Sequence, residues 1–116
     1  IQDVRERIKH QIEYDWLREQ FRQEQVDELL EIMVEVAMNR SDTIHIGRDA
    51  AYPTQYVQER FQKITAMHVE RVLDGIADNR TQVRNTKAYL LASLFNSVST
   101  IDNHYTMQYN HDFGSS

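Results

Sequence analysis

The sequence has 116 residues, of which 41% are hydrophobic, and both values suit one compact domain. It contains no cysteine, which excludes disulfides, thiolate catalysis and cysteine-ligated zinc, and which fits a reducing cytoplasm. The formal net charge is −5, and residues 1–58 carry it, with 12 acids and 7 bases. An acidic half argues against a domain that wraps DNA alone, because phosphate binding needs a basic surface. No apolar run approaches the roughly 20 residues of a membrane span.

The two ends of the sequence suggest a part of a longer protein. The chain starts at Ile1 rather than at a methionine, and no signal peptide is visible. We assign residues 1–112 to a single helical domain. Residues 113–116 are expected to be a disordered tail, either native or left over from cloning.

Helical periodicity dominates the first forty residues. Ile1, Val4, Ile8 and Ile12 recur at the spacing of an amphipathic helix, and "WLREQF" adds a further apolar turn or two. A stronger helix is predicted over 25–40, with an apolar stripe formed by Val26, Leu29, Leu30, Met33, Val36 and Ala37. Opposite this stripe lies an acidic face, which can solvate the helix or receive a basic partner; its members are Glu24, Asp27, Glu28, Glu31 and Glu35.

At "TIHIGRDAAYP" the spacing of apolar residues changes from a helical period to the alternation of a short strand. The residues of high β-propensity in this segment, followed by a glycine, predict a small β-hairpin near residues 43–52. Pro53 fits the first turn of the next helix, where its missing N–H costs nothing. Thr65 is a candidate N-cap for the following helix, whose apolar face consists of Val69, Val72, Leu73 and Ile76.

Two more helices are predicted at the end of the chain. Asn85 can cap the first, whose buried residues are expected to be Tyr89, Leu91, Leu94, Phe95 and Val98. A break is predicted over 97–100, after which Thr100 caps a last helix with Asp102 in its first turn. The expected fold is therefore mostly α, a compact multi-helix bundle with one small β-hairpin.

Patterns that would indicate a metal site or an active site are weak. His104 and His111 are seven residues apart, which is about 10 Å along a helix and too far for one metal. The sequence contains no HExxH and no GxSxG motif. Asp102, Asn103 and His104 are consecutive, so their side chains point in different directions on a helix. We therefore expect no enzymatic activity, no metal and no cofactor.

A basic cluster, formed by Arg80, Arg84 and Lys87, places three cations within eight residues that include no acid. It lies at a predicted loop that leads into a helix N-terminus, a place where backbone N–H groups and side chains together bind anions. The cluster can contact a nucleic-acid backbone or an acidic partner. The alternative is a solvated loop in which Arg84 bonds to neighbouring carbonyl groups.

Two segments carry a resemblance to a known family. "VRNTKAYLLASLFN" (83–96) and "STIDNHYTMQYNHD" (99–112) resemble the C-terminal domain of plasmid replication initiators of the RepA_N type. The resemblance extends over nearly the whole chain, from "RIKHQIEYDWL" onward. The helix that contains "NTKAYLLASLFN" is also similar to the last helices of DnaD-like domains, which close a helical bundle.

The resemblance implies a role in plasmid replication. In this family an N-terminal winged-helix domain, missing here, binds the origin and forms a homo-oligomer, while the C-terminal domain engages host proteins such as primase or helicase loaders. The expected contact residues are Arg80, Arg84, Lys87, Asn103, His104 and Tyr105. The alternatives are accessory DNA binding through the basic cluster and a structural domain that stabilises an initiator oligomer.

Overall fold

A computed structural model of the chain describes residues 2–47, 50–79 and 87–98. The helices and strands in these ranges are α1 (Gln2–Gln11), α2 (Tyr14–Gln20), α3 (Gln23–Met38), β1 (Thr43–Ile46), β2 (Ala50–Pro53), α4 (Thr54–Phe61) and α5 (Ala66–Asn79). A further helix, α6, covers the described residues 87–98. The predicted fold class is therefore confirmed: the described chain is mostly helical, with one small antiparallel hairpin.

Helix α3 forms the centre of the fold, because α1, α2, α4 and α5 all pack against it. Its buried side chains are Val26, Leu29, Leu30, Ile32, Met33, Val34 and Val36. The predicted apolar stripe is thus confirmed, apart from Ala37, which is half-buried. Ile32 and Val34 lie outside that stripe and are buried as well, because neighbouring helices cover α3 on more than one side.

The turn between α1 and α2 reverses the chain over two residues. Ile8 and Ile12 are buried against the core, which confirms the predicted amphipathic first helix. Glu13 follows with a positive φ of 54°, in the left-handed region that residues other than glycine seldom adopt. Tyr14 and Leu17 are then buried on α2, while Trp16 remains 41% exposed.

The hairpin packs one of its faces into the core. Ile44 and Ile46 are buried, whereas the alternate residues Thr43 and His45 are exposed, as the two-residue period of a strand requires. Pro53 pairs with Thr43 at the end of β2 and precedes the first residue of α4. The prediction that Pro53 lies in the first turn of that helix was therefore wrong by one position, because β2 extends through it.

Two glutamine amides donate to carbonyl groups at and just beyond the C-terminal ends of helices, where the regular intrahelical bonding stops. The Gln58 amide nitrogen donates to the carbonyl oxygens of Val36 and Asn39, at 3.0 and 3.1 Å. The Gln11 amide nitrogen donates to those of Phe61 and Ile64, at 3.0 and 2.7 Å. Gln58 thus joins α4 to the end of α3, and Gln11 joins α1 to the end of α4.

The start of α5 confirms the predicted N-cap. The helix begins at Ala66, directly after Thr65. The Thr65 backbone N–H donates to Nδ1 of the buried His68 at 2.9 Å. This bond is one half of a capping box, in which the side chain of the third helical residue accepts from the backbone N–H of the cap residue.

Helix α6 buries three of its five predicted core residues and adds Leu90. Its core residues are Leu90, Leu94, Phe95 and Val98, while Tyr89 and Leu91 are only half-buried. Leu90, Leu94 and Val98 recur every four residues, so they share a face of the helix. Asn85 as a cap, the predicted last helix and residues 113–116 lie outside the described residues.

We expect Gln58→Met to destabilise the domain, because it keeps the length of the side chain but removes the donor to the α3 carbonyls. The part-buried carbonyls of Ala37 and Asn39 lose this donor, and leaving such acceptors unsatisfied costs about 1–3 kcal/mol of unfolding free energy. Urea unfolding followed by circular dichroism measures the change. Gln55→Met is the matched control, since Gln55 lies on the same helix and is exposed, and within the described ranges its side chain donates to Glu59 alone, at 3.5 Å. Equal losses in the two variants would contradict a capping role for Gln58.

Candidate functional site

One of the six residues predicted to contact a partner lies within the described part of the chain. This residue is Lys87, at the start of the described stretch of α6. The other five lie outside the described residues: Arg80, Arg84, Asn103, His104 and Tyr105. The predicted surface is therefore assessed through Lys87 alone.

Lys87 forms an ion pair with the acidic face of α3. Its Nζ is 2.7 Å from Oε1 and 3.0 Å from Oε2 of Glu35. Both side chains are about three-fifths exposed, at 61% and 59%, so the pair contributes no more than about 1 kcal/mol to stability. The sequence analysis treated the basic cluster and the acidic face as separate surfaces. They meet at this contact, because α6 passes beside α3.

The rest of the acidic face is partly neutralised within the fold. Arg5 of α1 forms a two-pronged ion pair with Glu31, and this pair raises the pKa of Arg5. Asp27 accepts a hydrogen bond from the hydroxyl of the buried Tyr14. Glu28 is exposed and has no ion-pair partner among the described residues. The α3 surface therefore receives cations from α1 on one flank and α6 on the other.

A small cleft of about 80 Å³ lies between α1, α3 and α4. Buried side chains line it, including Ile8, Met33 and Phe61, together with the amides of Gln11 and Gln58. Those amides already donate to backbone carbonyl groups. Arg7 is the one ionisable residue among those that line the cleft. The cleft thus holds no pair of groups that could transfer a proton to or from a substrate.

A second candidate surface, the Arg60 patch, consists of Tyr52, Tyr56, Arg60 and Phe95. The Arg60 guanidinium carbon is 3.9 Å from the Phe95 ring centroid and 5.6 Å from that of Tyr56. Arg60 Nη1 donates to the Tyr56 hydroxyl at 2.6 Å. The Tyr52 and Phe95 ring centroids are 4.9 Å apart. The patch therefore joins β2, α4 and α6 through stacked aromatic rings and one cation.

This patch was not predicted from the sequence. Tyr56, at its edge, is 44% exposed. The spacing of Tyr56 and Arg60 in "YVQER" was an available signal, because residues four apart lie on one face of a helix. Phe95 comes from a distant part of the chain, and no local pattern connects it with Arg60.

The described ranges contain no group of three or more histidine, aspartate or glutamate residues placed to hold a metal ion. Among the described helices, none combines the length and the apolar character needed to cross a membrane.

The fold and the surfaces define a small, mostly helical domain with one β-hairpin and charged and aromatic groups on its outside. The chain belongs to DUF6017, a family of unknown function, whose family model matches residues 1–116. No curated protein and no solved structure matches the chain. The family membership assigns no activity, ligand or partner.

We expect Tyr14→Phe to destabilise the domain by about 1–2 kcal/mol, because a charge-assisted hydrogen bond to Asp27 is lost. That bond raises the pKa of Tyr14 in the folded state. The unfolded chain then loses the tyrosine proton first as the pH rises, so this contribution is complete below about pH 10 and is lost at higher pH. Urea unfolding at neutral and alkaline pH measures both effects.

Tyr89→Phe is the matched control for Tyr14→Phe. Tyr89 is half-buried, and its hydroxyl has no hydrogen bond within the described residues. We expect a small effect in this variant. A loss in Tyr89→Phe as large as that in Tyr14→Phe would show that the Asp27 contact contributes nothing specific.

Proposed function

We propose that this domain is a non-enzymatic interaction module of a plasmid replication initiator, which recruits host replication proteins in the cytoplasm. The observation that carries the interaction role is the surface where α1, α3 and α6 meet. Exposed glutamates of α3 lie there beside cations of the two flanking helices. Support for the replication role comes from the resemblance of residues 83–96 and 99–112 to RepA_N initiators.

In this proposal Lys87 exchanges one carboxylate for another. Its ion pair with Glu35 is exposed, so it is weak in water and screened by salt. An acidic group of primase or of a helicase loader can therefore replace Glu35 at little cost. The remaining contacts proposed for the partner are Arg80, Arg84, Asn103, His104 and Tyr105.

The Glu35 contact argues against accessory DNA binding as the main role. A carboxylate 2.7 Å from Lys87 competes directly with a phosphate for one of the three cations of the basic cluster. The neighbouring glutamates of α3 repel a polyanion as well. Phosphate contacts are recognised by an affinity that falls steeply with salt concentration, so the same binding assay at several salt concentrations separates the two roles.

The test uses the purified 116-residue chain with purified host primase and helicase-loading proteins. We expect the double charge reversal Arg84→Glu/Lys87→Glu to weaken capture by roughly tenfold or more, because two attractive contacts become repulsive. Arg71→Glu is the control, since Arg71 is an exposed cation on α5. Unchanged capture by the double reversal would contradict this surface assignment.

A charge swap separates a direct contact of Lys87 from an effect on the fold. Lys87→Glu removes the pair with Glu35, and Glu35→Lys/Lys87→Glu restores it with the charges exchanged. If Lys87 contacts the partner, we expect capture to remain weak in the swapped variant. Capture that returns to the wild-type level would show that Lys87 acts only by holding α6 against α3.

A further inference from the structure

The Arg60 guanidinium carries a charge that no carboxylate neutralises within the described part of the chain. Its described hydrogen bond runs from Nη1 to the neutral Tyr56 hydroxyl, at 2.6 Å. Its Nε is buried and has no hydrogen-bond partner among the described residues. The Nη2 group has no described partner either. The enclosed Nε cannot be reached by a ligand from solution, so a partly buried cation in this state favours the approach of an anion that accepts from Nη2.

Stacking presents Arg60 in a geometry that suits a carboxylate. A guanidinium over an aromatic ring keeps its N–H donors in its own plane, so it can stack and donate sideways at the same time. Phe95 is only 3% exposed, and core packing therefore fixes the ring beneath the guanidinium. The bond to Tyr56 holds the side chain from another direction. Because Arg60 is already ordered, a ligand pays little further entropy to bind it.

Tyr56 supplies an apolar surface beside this cation. Its ring is 44% exposed and lies 5.7 Å from the ring of Tyr52, which supports it from behind. Tyrosine and arginine are the residue types enriched where protein interfaces concentrate their binding energy. A ligand that combines one anionic group with one apolar group can contact both side chains together.

We propose that Tyr56 and Arg60 form a docking site for an acidic peptide segment of a partner protein. One aspartate or glutamate of the segment binds the Arg60 guanidinium, and a neighbouring apolar or aromatic side chain packs on the Tyr56 ring. This surface is separate from the one around Lys87, so the inference goes beyond the proposed function and does not depend on it.

The charges near Arg60 favour a peptide over a nucleic acid. Stable binding to a phosphate backbone needs several cations along its path, whereas a single carboxylate needs one guanidinium. Glu59 is exposed next to Arg60 on α4, and the whole chain has a net charge of −5. Both repel a polyanion. We therefore expect one acidic residue within the segment rather than a run of them.

The experiment selects binders from a phage-displayed library of random short peptides on the immobilised 116-residue chain. We expect the selected sequences to share one aspartate or glutamate next to an aromatic or large apolar residue. The selected peptides are then synthesised, and calorimetry gives their affinities for the wild type and the variants. We expect Arg60→Gln to weaken binding by roughly tenfold or more, as for the loss of an interface hot spot.

Three further variants keep the result interpretable. Arg60→Lys retains the charge but loses the planar guanidinium, whose N–H donors match a carboxylate. We therefore expect this variant to bind the peptides more weakly than the wild type does. Tyr56→Ser removes an exposed ring and one hydrogen bond to Arg60 but keeps the Arg60 stack on Phe95, and we expect it to weaken binding without unfolding the domain. Arg71→Gln removes an exposed cation elsewhere, on α5, and we expect no change. Circular dichroism checks that each variant is folded.

Several outcomes would overturn the proposal. They are a selection that yields no binder, selected peptides without a shared acidic position, and equal affinity of the peptides for wild type and Arg60→Gln. A single-stranded oligothymidylate that binds with Arg60-dependent affinity would assign the surface to nucleic acid instead. The peptide assay contains no replication protein, so its failure does not bear on the proposed recruitment function. Failure to capture host replication proteins likewise does not bear on the peptide site at Arg60.

Discussion

Burial of α3 on more than one side is the constraint on which the rest of the structure depends. Val26 and Leu29 are fully buried at its centre, and each buried side chain of this kind contributes about 1.5–3 kcal/mol relative to its exposed state. Helices α1, α2, α4 and α5 must each give an apolar face to this one helix. Only a narrow strip of α3 is left to water, and the acidic residues occupy it.

The burial of α3 also determines the two surfaces that we propose as binding sites, the one around Lys87 and the Arg60 patch. Because α3 is enclosed, the carbonyl groups at its C-terminal end need donors from elsewhere, and Gln58 of α4 donates to that of Ala37. This contact fixes the side of α4 that faces α3. Tyr56 and Arg60 then lie where Phe95 of α6 can reach them. The Lys87–Glu35 pair arises in the same way, from α6 passing beside the polar strip of α3.

Local features of the fold could be predicted from the sequence, because a few neighbouring residues determine them. The stripe of α3 and the alternation in β1 are repeats of apolar residues, and Thr65 as a cap follows from one side chain. The phase of α6 could not be fixed in this way. Leu90 and Leu91 are adjacent, so either fits a helical repeat, and only packing against the core selects Leu90.

Contacts between distant residues could not be predicted from the sequence. Residues 52 apart in the chain form the ion pair of Lys87 with Glu35, and the stacking of Arg60 on Phe95 also joins separate helices. The sequence therefore predicts which residues belong to the candidate site, but not which other side chains they contact. The sequence suggested Lys87 as a free cation, whereas its carboxylate partner became apparent only in three dimensions.

Native-state hydrogen exchange tests the central position of α3 most directly. The backbone amides of Leu29 to Val34 lie in the enclosed part of this helix. The account predicts that they exchange only through global unfolding, with a protection free energy equal to the unfolding free energy measured in urea. If these amides exchanged through local opening, at a free energy well below the global value, α3 would not be the element on which the fold depends.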